Sequence, residues 1–470
     1  MSFTSPLFFV ALVPATAVYY SLPGRWRAIY LLALSYAFYA LSSRIYLVLL
    51  VVASAAVYAI GLAIARSGSE RAKQAYMAAG IAAVIAVIVA FKAAGAWRGF
   101  LLPLGVSYYS FKLISYLIEV YWDDEAVERD PIVFLLFPAF FPQIVSGPIQ
   151  RPEPFFLQMR EVVGRTLDPD QIESGIRLVL GGLMLKLLVG DRLAAFIEVV
   201  DQSHAEFSYS VIMVTVACYT LQLYADFAGY TNIALGVGKL FGVEGPPNFR
   251  APFAAINIQE FWRRWHMSLT SWVTDYLFTP LSMSLRDLGE AGLVLCIMLN
   301  MLIIGLWHGL TLNFLVFGLM QGVLVSVTAL VVLSLRRRAP HREQTGTTGK
   351  RARRWILALA GMTLTFALMS FSTIFWRSPS WDAAMSIVEQ VLAVSPSGSL
   401  GWSDMPAYLI VPAWVCMAIA LFVGAGAPGA KRLMAGIDEV APQWLQYGVC
   451  LFLLSILSTA GSGQFLYGQF

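Results

Sequence analysis

The sequence predicts an all-α, polytopic membrane protein, and three observations carry that reading. Of its 470 residues, 58% are hydrophobic and 13% charged, against roughly 25% charged in a soluble domain, so a water-facing surface cannot be covered. The mean hydropathy is +0.69. The apolar residues fall in runs near the ~20 that cross a bilayer as a helix. The chain therefore has room for roughly ten or more membrane helices in a single embedded domain, residues 1–470. Backbone groups in lipid must bond within their own segment, which makes those spans helices. The net charge of +4 is small. The basic residues lie in loops rather than on one face, so no nucleic-acid surface is indicated.

In chain order, apolar segments at 5–22, 28–42 and 45–65 come first. No Lys or Arg precedes the first, whereas Arg25 and Arg27 follow it. A cleaved leader is therefore not expected, and the N-terminus is expected outside. The basic loop Arg66–Lys73 is expected to be cytoplasmic. Segment 76–91 follows, rich in small residues suited to close helix packing. Pro103 and Gly105 then head an apolar segment as a broken turn, with Lys112 and Glu119 seven apart on one face. These two read as an internal ion pair or snorkelling charges in preference to substrate contacts. The run Phe134–Val145 is too short to span and carries Pro138 and Pro142. A re-entrant element lining a cavity is expected there. Residues 151–175 read as a surface helix or loop, and Asp191 beside Arg192 marks an interface in segment 176–200.

Segment 211–240 carries Gln222, Asp226 and Tyr230 four apart on one face, with Tyr224 between them. A carboxylate there needs a cation, and Arg263 or Arg264 is the expected partner of Asp226. A loop over 246–260 leads into a helix from about Gln259, whose Phe261, Trp262, Trp265 and Trp272 suit the membrane interface. Segment 291–306 is short and is interrupted by Trp307-His308-Gly309 before 314–335, with Gly305 and Gly309 expected to leave space around the His308 ring. The Arg/Lys-rich loop 336–354, with a Gly/Thr-rich middle expected to be disordered, is expected in the cytoplasm, and the link 378–406 outside. Spans at 355–376, 407–427 and 445–461 complete the chain, and no internal repeat is found.

Cys218, Cys296, Cys416 and Cys450 are isolated in or beside apolar runs, so neither disulfides nor a metal site is expected. The chain has four histidines. His204 and His341 sit in polar surroundings and read as ordinary loop residues. His266 and His308 each follow a Trp within apolar segments, where a histidine needs a partner or a function. Imidazole titrates near neutrality and can take a hydroxyl proton and return it to a leaving group. No nucleophile elbow, metal motif, dinucleotide fingerprint or phosphate-binding loop is present. Without a protein nucleophile, a base-activated hydroxyl attacking a thioester or ester carbonyl is the economical chemistry. A histidine locked by hydrogen bonds in a helix bundle is the bland alternative. Two Trp-His pairs beside Arg263 and Arg264 favour function.

Six blocks keep a common order from about 100 to 322: Pro103–Phe111, Phe141–Ile149, Tyr224–Asn232, Asn248–Pro252, Glu260–Leu269 and Gly305–Gly309. In these the chain resembles the membrane-bound O-acyltransferase superfamily, in its bacterial branch of alginate acetylation and teichoic-acid D-alanyl transfer. The last two blocks are the specific ones. The resemblance implies a ring of tilted helices around a thin centre with a funnel, His308 as catalytic histidine and His266 as a second. Trp307, Trp265, Arg263, Arg264, Asp226, Tyr224 and Tyr230 are the accompanying candidates for substrate or donor binding. It also implies a cytoplasmic donor, acetyl-CoA or an acyl-carrier thioester, with no tightly bound cofactor. The acceptor would be an external polysaccharide such as alginate, reached through periplasmic acetyltransferase partners from the inner membrane. The alternatives are D-alanyl transfer to teichoic acid, a transporter using the histidines as a proton relay, and a non-catalytic scaffold for polysaccharide export.

Overall fold

The computed structural model describes residues 3–98, 103, 105–338, 348–392, 398–426 and 442–457. His341 and the Gly/Thr-rich middle of the basic loop lie outside them. The helices are α1 (Pro6–Ser21), α2 (Gly24–Ala40), α3 (Arg44–Arg66), α4 (Glu70–Arg98), α5 (Val106–Trp122), α6 (Pro131–Ala139), α7 (Phe141–Ile144), α8 (Pro152–Glu161) and α9 (Pro169–Leu183). A π-helical turn, Met184–Gly190, leads into α10 (Asp191–Gln202) and α11 (Tyr209–Leu240). Then come α12 (Ile258–Trp262), α13 (Met267–Val273), α14 (Thr279–Ser284), α15 (Gly289–His308), α16 (Leu312–Arg338), α17 (Thr348–Arg377), α18 (Trp381–Val391), α19 (Ala407–Gly424) and α20 (Gln443–Leu457). Among the described residues seven helices are long and apolar enough to cross a membrane, and three shorter apolar helices accompany them. Of the seven, α11 is the most enclosed, with 83% of its most apolar window buried.

The chain divides into two compact units. Among the described residues, one holds those within 3–183 and 229–247; the other holds those within 184–228 and 248–457. In the first, α5 is buried over most of its length, and Gly61 of α3 gives its ring of Tyr116 room to lie against the α3 backbone. The expected re-entrant stretch forms α6 and α7, both short and buried, broken at Phe140. Buried polar bonds pin the break. The Phe141 N–H donates to Ser35 Oγ at 3.1 Å, and the Gln143 amide donates to Gln150 Oε1 at 2.8 Å. Lys112 is 1% exposed and donates to the Phe137 carbonyl and to Gln143 Oε1, each at 3.1 Å. It is therefore neither ion-paired to Glu119 nor snorkelling, as the sequence suggested. A short helix leaves its last carbonyls unsatisfied, and the buried ammonium takes one of them.

In the second unit α15 and α16 form an antiparallel hairpin around glycines. A side chain at Gly305 would meet the Phe314 carbonyl and the Gly318 Cα, and Gly309 lies against the Phe314 ring. These glycines thus admit the neighbouring helix rather than opening space around His308, a correction to the sequence reading. Gly318→Leu should wedge the hairpin apart at a cost of about 1–3 kcal/mol. An unchanged melting temperature for that variant would show that the two backbones are not held in contact. A side-chain chain then ties α12, α16 and α17: Trp262 Nε1 donates to Gln321 Oε1 at 3.0 Å, and Gln321 Nε2 to Ser372 Oγ at 2.9 Å.

Candidate active site

The two Trp-preceded histidines meet in the second unit through aromatic rings. His308 is the last residue of α15, where Gly309 ends the helix in extended backbone. His266 is placed differently. Its backbone is left-handed (φ 45°, ψ 49°), between the end of α12 and the start of α13. That conformation costs roughly 1–2 kcal/mol for a residue with a Cβ, and the 248–252 loop holds it in place. Met267 N–H donates to the Asn248 carbonyl at 2.9 Å, the Ser268 hydroxyl to Asn248 Oδ1 at 2.5 Å, and Arg250 N–H to the Arg264 carbonyl at 3.0 Å. Strain maintained by surrounding bonds is a mark of functional positions.

Trp307 stands between the two imidazoles, its ring 6.3 Å from that of His266 and 4.7 Å from that of His308. Phe227 lies edge-on to His266 at 4.7 Å, and Phe314 and Trp376 are each 6.1 Å from His308. His266 is 1% and His308 6% exposed. Burial pushes the His266 imidazole down to about 3, so at neutral pH it is the uncharged ring.

A cleft of about 310 Å³ is lined from α12, α13, the turn after α13, α15 and α16, the elements that carry or flank the two histidines, although neither imidazole is on its wall. Ile304, one helical turn before His308, and Thr270, whose N–H donates to the His266 carbonyl at 3.0 Å, belong to its wall. So does Asn300, buried, with its Oδ1 lacking a donor. Arg263, exposed, also lines it. Leu293 and Leu333 lie farther along the wall, towards the place where Arg337 pairs with Glu290 at 2.7 Å. From Leu293 to His308 is about 22 Å at a rise of 1.5 Å per residue.

Asp226 does not pair with Arg263 or Arg264. Its carboxylate lies 2.6 Å from Lys186 Nζ, which also holds Asp191 at 2.5 Å, all three nearly inaccessible. Asp191 is accordingly an interior residue and marks no interface. The physical reason lies in the π-helical turn. Lys186 and Asp191 are five apart, a spacing that places two side chains about 140° apart on an α-helix but together on a π-turn. Sequence spacing read on an α-helical wheel separates them. Arg264, in the turn that follows α12, bonds Glu260 of that helix at 2.6 Å. Both are part-exposed, so Arg264→Ala should change stability by only about 0.3–0.5 kcal/mol. A large drop in melting temperature would return Arg264 to a structural role.

Trp265 and Tyr224 pack with each other and with Phe249, at ring distances of 5.1 to 6.3 Å. They support the wall behind the histidines. Tyr230 belongs to the first unit, where its ring lies 5.3 Å from Phe3. Sequence reasoning missed Lys186, Phe227, Asn300, Phe314 and Trp376. Of these, only Lys186 carried a signal, a cation in an apolar run that had to find a carboxylate.

The sequence matches the membrane-bound O-acyltransferase family over residues 36–371. The chain belongs to this family. Among curated proteins it is similar to a probable alginate O-acetylase of Pseudomonas fluorescens, 33% identical over 342 residues, covering 71% of this chain and 67% of the relative. It is 26% identical to a peptidoglycan O-acetyltransferase of Helicobacter pylori, over 63% of this chain and 58% of that one. It is 32% identical to a teichoic acid D-alanyltransferase of Bacillus subtilis, over 44% of this chain and 54% of that one. The chain thus spans about two thirds of the alginate O-acetylase and less of the other two. The matched region includes both histidines and every residue lining the cleft.

Proposed function

We propose that the protein moves an acyl group, most simply acetyl, from a thioester donor to a hydroxyl acceptor on the way to an envelope polysaccharide, with His308 as general base. The observation that carries this is the cleft, whose wall includes Thr270 and Ile304, each four residues from one of the two buried histidines. The acceptor hydroxyl gives its proton to His308 as its oxygen attacks the thioester carbonyl. The C–S bond breaks, and the proton passes to the thiolate leaving group. His266, uncharged and held rigidly, orients the donor carbonyl. A donor whose acyl group sits at the end of a long arm suits a cleft of this reach, with Asn300 Oδ1 accepting an amide N–H and Arg263 holding a phosphate. The Glu290–Arg337 end of the cleft adjoins the basic loop, which favours cytoplasmic loading by acetyl-CoA or an acyl-carrier thioester. Acetyl is preferred to D-alanyl because the acetylase match covers 71% of the chain and the D-alanyl match 44%.

An inner-membrane location and hand-over to periplasmic acetyltransferase partners complete the proposal. Its test is the acetyl content of envelope polysaccharide, alginate first, in a deletion strain and in one complemented with the wild-type gene. Loss and recovery of acetate esters are expected. Unchanged acetylation after deletion would refute the acetylation reading.

A further inference from the structure

A third histidine of the same unit is joined to a hydroxyl in a way the proposed chemistry does not use. His204 opens the short turn after α10, and Ser386 lies on α18. His204 Nε2 is 2.9 Å from Ser386 Oγ, and Nδ1 is 3.4 Å from the Asp201 carbonyl. A carbonyl only accepts, so the contact with Asp201 places the ring proton on Nδ1. Nε2 is then left as an acceptor for the serine hydroxyl proton. This is the nucleophile–base–orienter order of a serine acyl-transfer centre.

The orienting residue is itself braced. The Asp201 carboxylate accepts from the Tyr219 hydroxyl and from Arg377 Nε at 3.2 Å, while Arg377 also donates to Gln222 Oε1 at 2.9 Å. Gln390, one turn beyond Ser386 on the same face of α18, donates to the His204 carbonyl at 3.2 Å. Its own oxygen is buried and has no donor. Ser386 and His204 are both partly accessible. Arg377, which bonds Asp201, directly follows Trp376, whose ring is 6.1 Å from that of His308.

We propose that Ser386 and His204 form a second acyl-handling pair, in which Ser386 holds an acyl group as an oxyester before it passes to the acceptor. This rests on the acyl-transfer reading above. The pair acts after the His308 step: Ser386 Oγ attacks the carbonyl of the ester formed there, His204 Nε2 takes the hydroxyl proton, the ester C–O bond breaks and the departing alkoxide receives that proton. An acceptor hydroxyl then attacks the serine ester with His204 again as base, and the proton returns to Ser386 Oγ.

Two measurements separate this proposal from the main reading. The full chain carrying His308→Ala, in nanodiscs, is treated with p-nitrophenyl acetate, and its peptides are mapped by mass spectrometry. Acetyl on Ser386 is expected, about 10²–10⁴-fold slower in a His204→Gln background and retained as a hydroxylamine-labile thioester in Ser386→Cys. Absence of acetyl on Ser386, or an unchanged rate in His204→Gln, overturns the pair whatever the activity of the wild type. In the second measurement, wild type and Ser386→Ala are compared for acetyl transfer from acetyl-CoA at equal membrane abundance. A transfer rate in Ser386→Ala equal to wild type overturns the relay. Acetylation of Ser386 by the active ester, with no transfer from acetyl-CoA by wild type, supports the pair and counts against the proposed donor.

Discussion

Replacing His308 by alanine is expected to lower acyl transfer by about 10²–10⁴-fold, the usual contribution of a positioned general base, while the protein still inserts and folds. His308 is the last residue of α15 and packs against Trp307, Phe314 and Trp376, and its imidazole is the proton acceptor that the variant removes. His308→Gln, closer in volume, separates lost chemistry from lost packing and should be as inactive as the alanine variant. His266→Ala should act chiefly on donor KM, because that ring is fixed against Phe227 and Trp307 beside the cleft wall. His266 protonates only near pH 3, so it stays neutral from pH 5 to 8, and any acid limb of the rate profile in that range reports another group. Near-normal turnover in His308→Ala with loss in His266→Ala would exchange the two roles. Normal turnover in both would end the histidine mechanism.

Lys186→Met should have the largest effect on stability. It leaves Asp191 and Asp226 facing one another in a buried site with no ammonium between them, and breaking a buried pair costs about 3–5 kcal/mol. Asp226→Asn keeps one carboxylate for Lys186 and should cost less. Asp226 adjoins Phe227, whose ring supports His266, so variants that do fold should show a raised donor KM before any fall in kcat. The check is thermal unfolding in nanodiscs beside folded yield. A Lys186→Met protein with wild-type melting temperature would mean that the triad does not hold this part of the unit.

Much of this was legible in the sequence because membrane helices announce themselves by length and composition. The segment expected at 45–65 is α3, Arg44–Arg66, and that at 211–240 is α11, Tyr209–Leu240. The two Trp-His pairs could be singled out because a histidine in an apolar run is conspicuous. What stayed hidden depends on which helix lies opposite which. The partner of Asp226 came from a turn whose periodicity is not that of an α-helix. The partner of Lys112 was a backbone carbonyl, and carbonyls carry no sequence signature. Gly305 and Gly309 appeared as room for a ring until α16 was seen to fill it.

The π-helical turn has a consequence for the chain's history and its engineering. It is one residue longer than the α-helical turn it interrupts. Deleting a single residue between Lys186 and Asp191 would let the stretch relax into an ordinary helix, which isolated propensity favours. The wide turn absorbs one extra residue, so its removal keeps the stretches on either side in register. Lys186 and Asp191 would then be four apart, about 40° from each other on an α-helix, and could still pair. Relaxation at full length does the opposite: the five-residue spacing opens to about 140°, and Lys186 turns away from Asp191. The window should therefore tolerate the loss of one residue better than substitutions that force an α-helical turn at its present length.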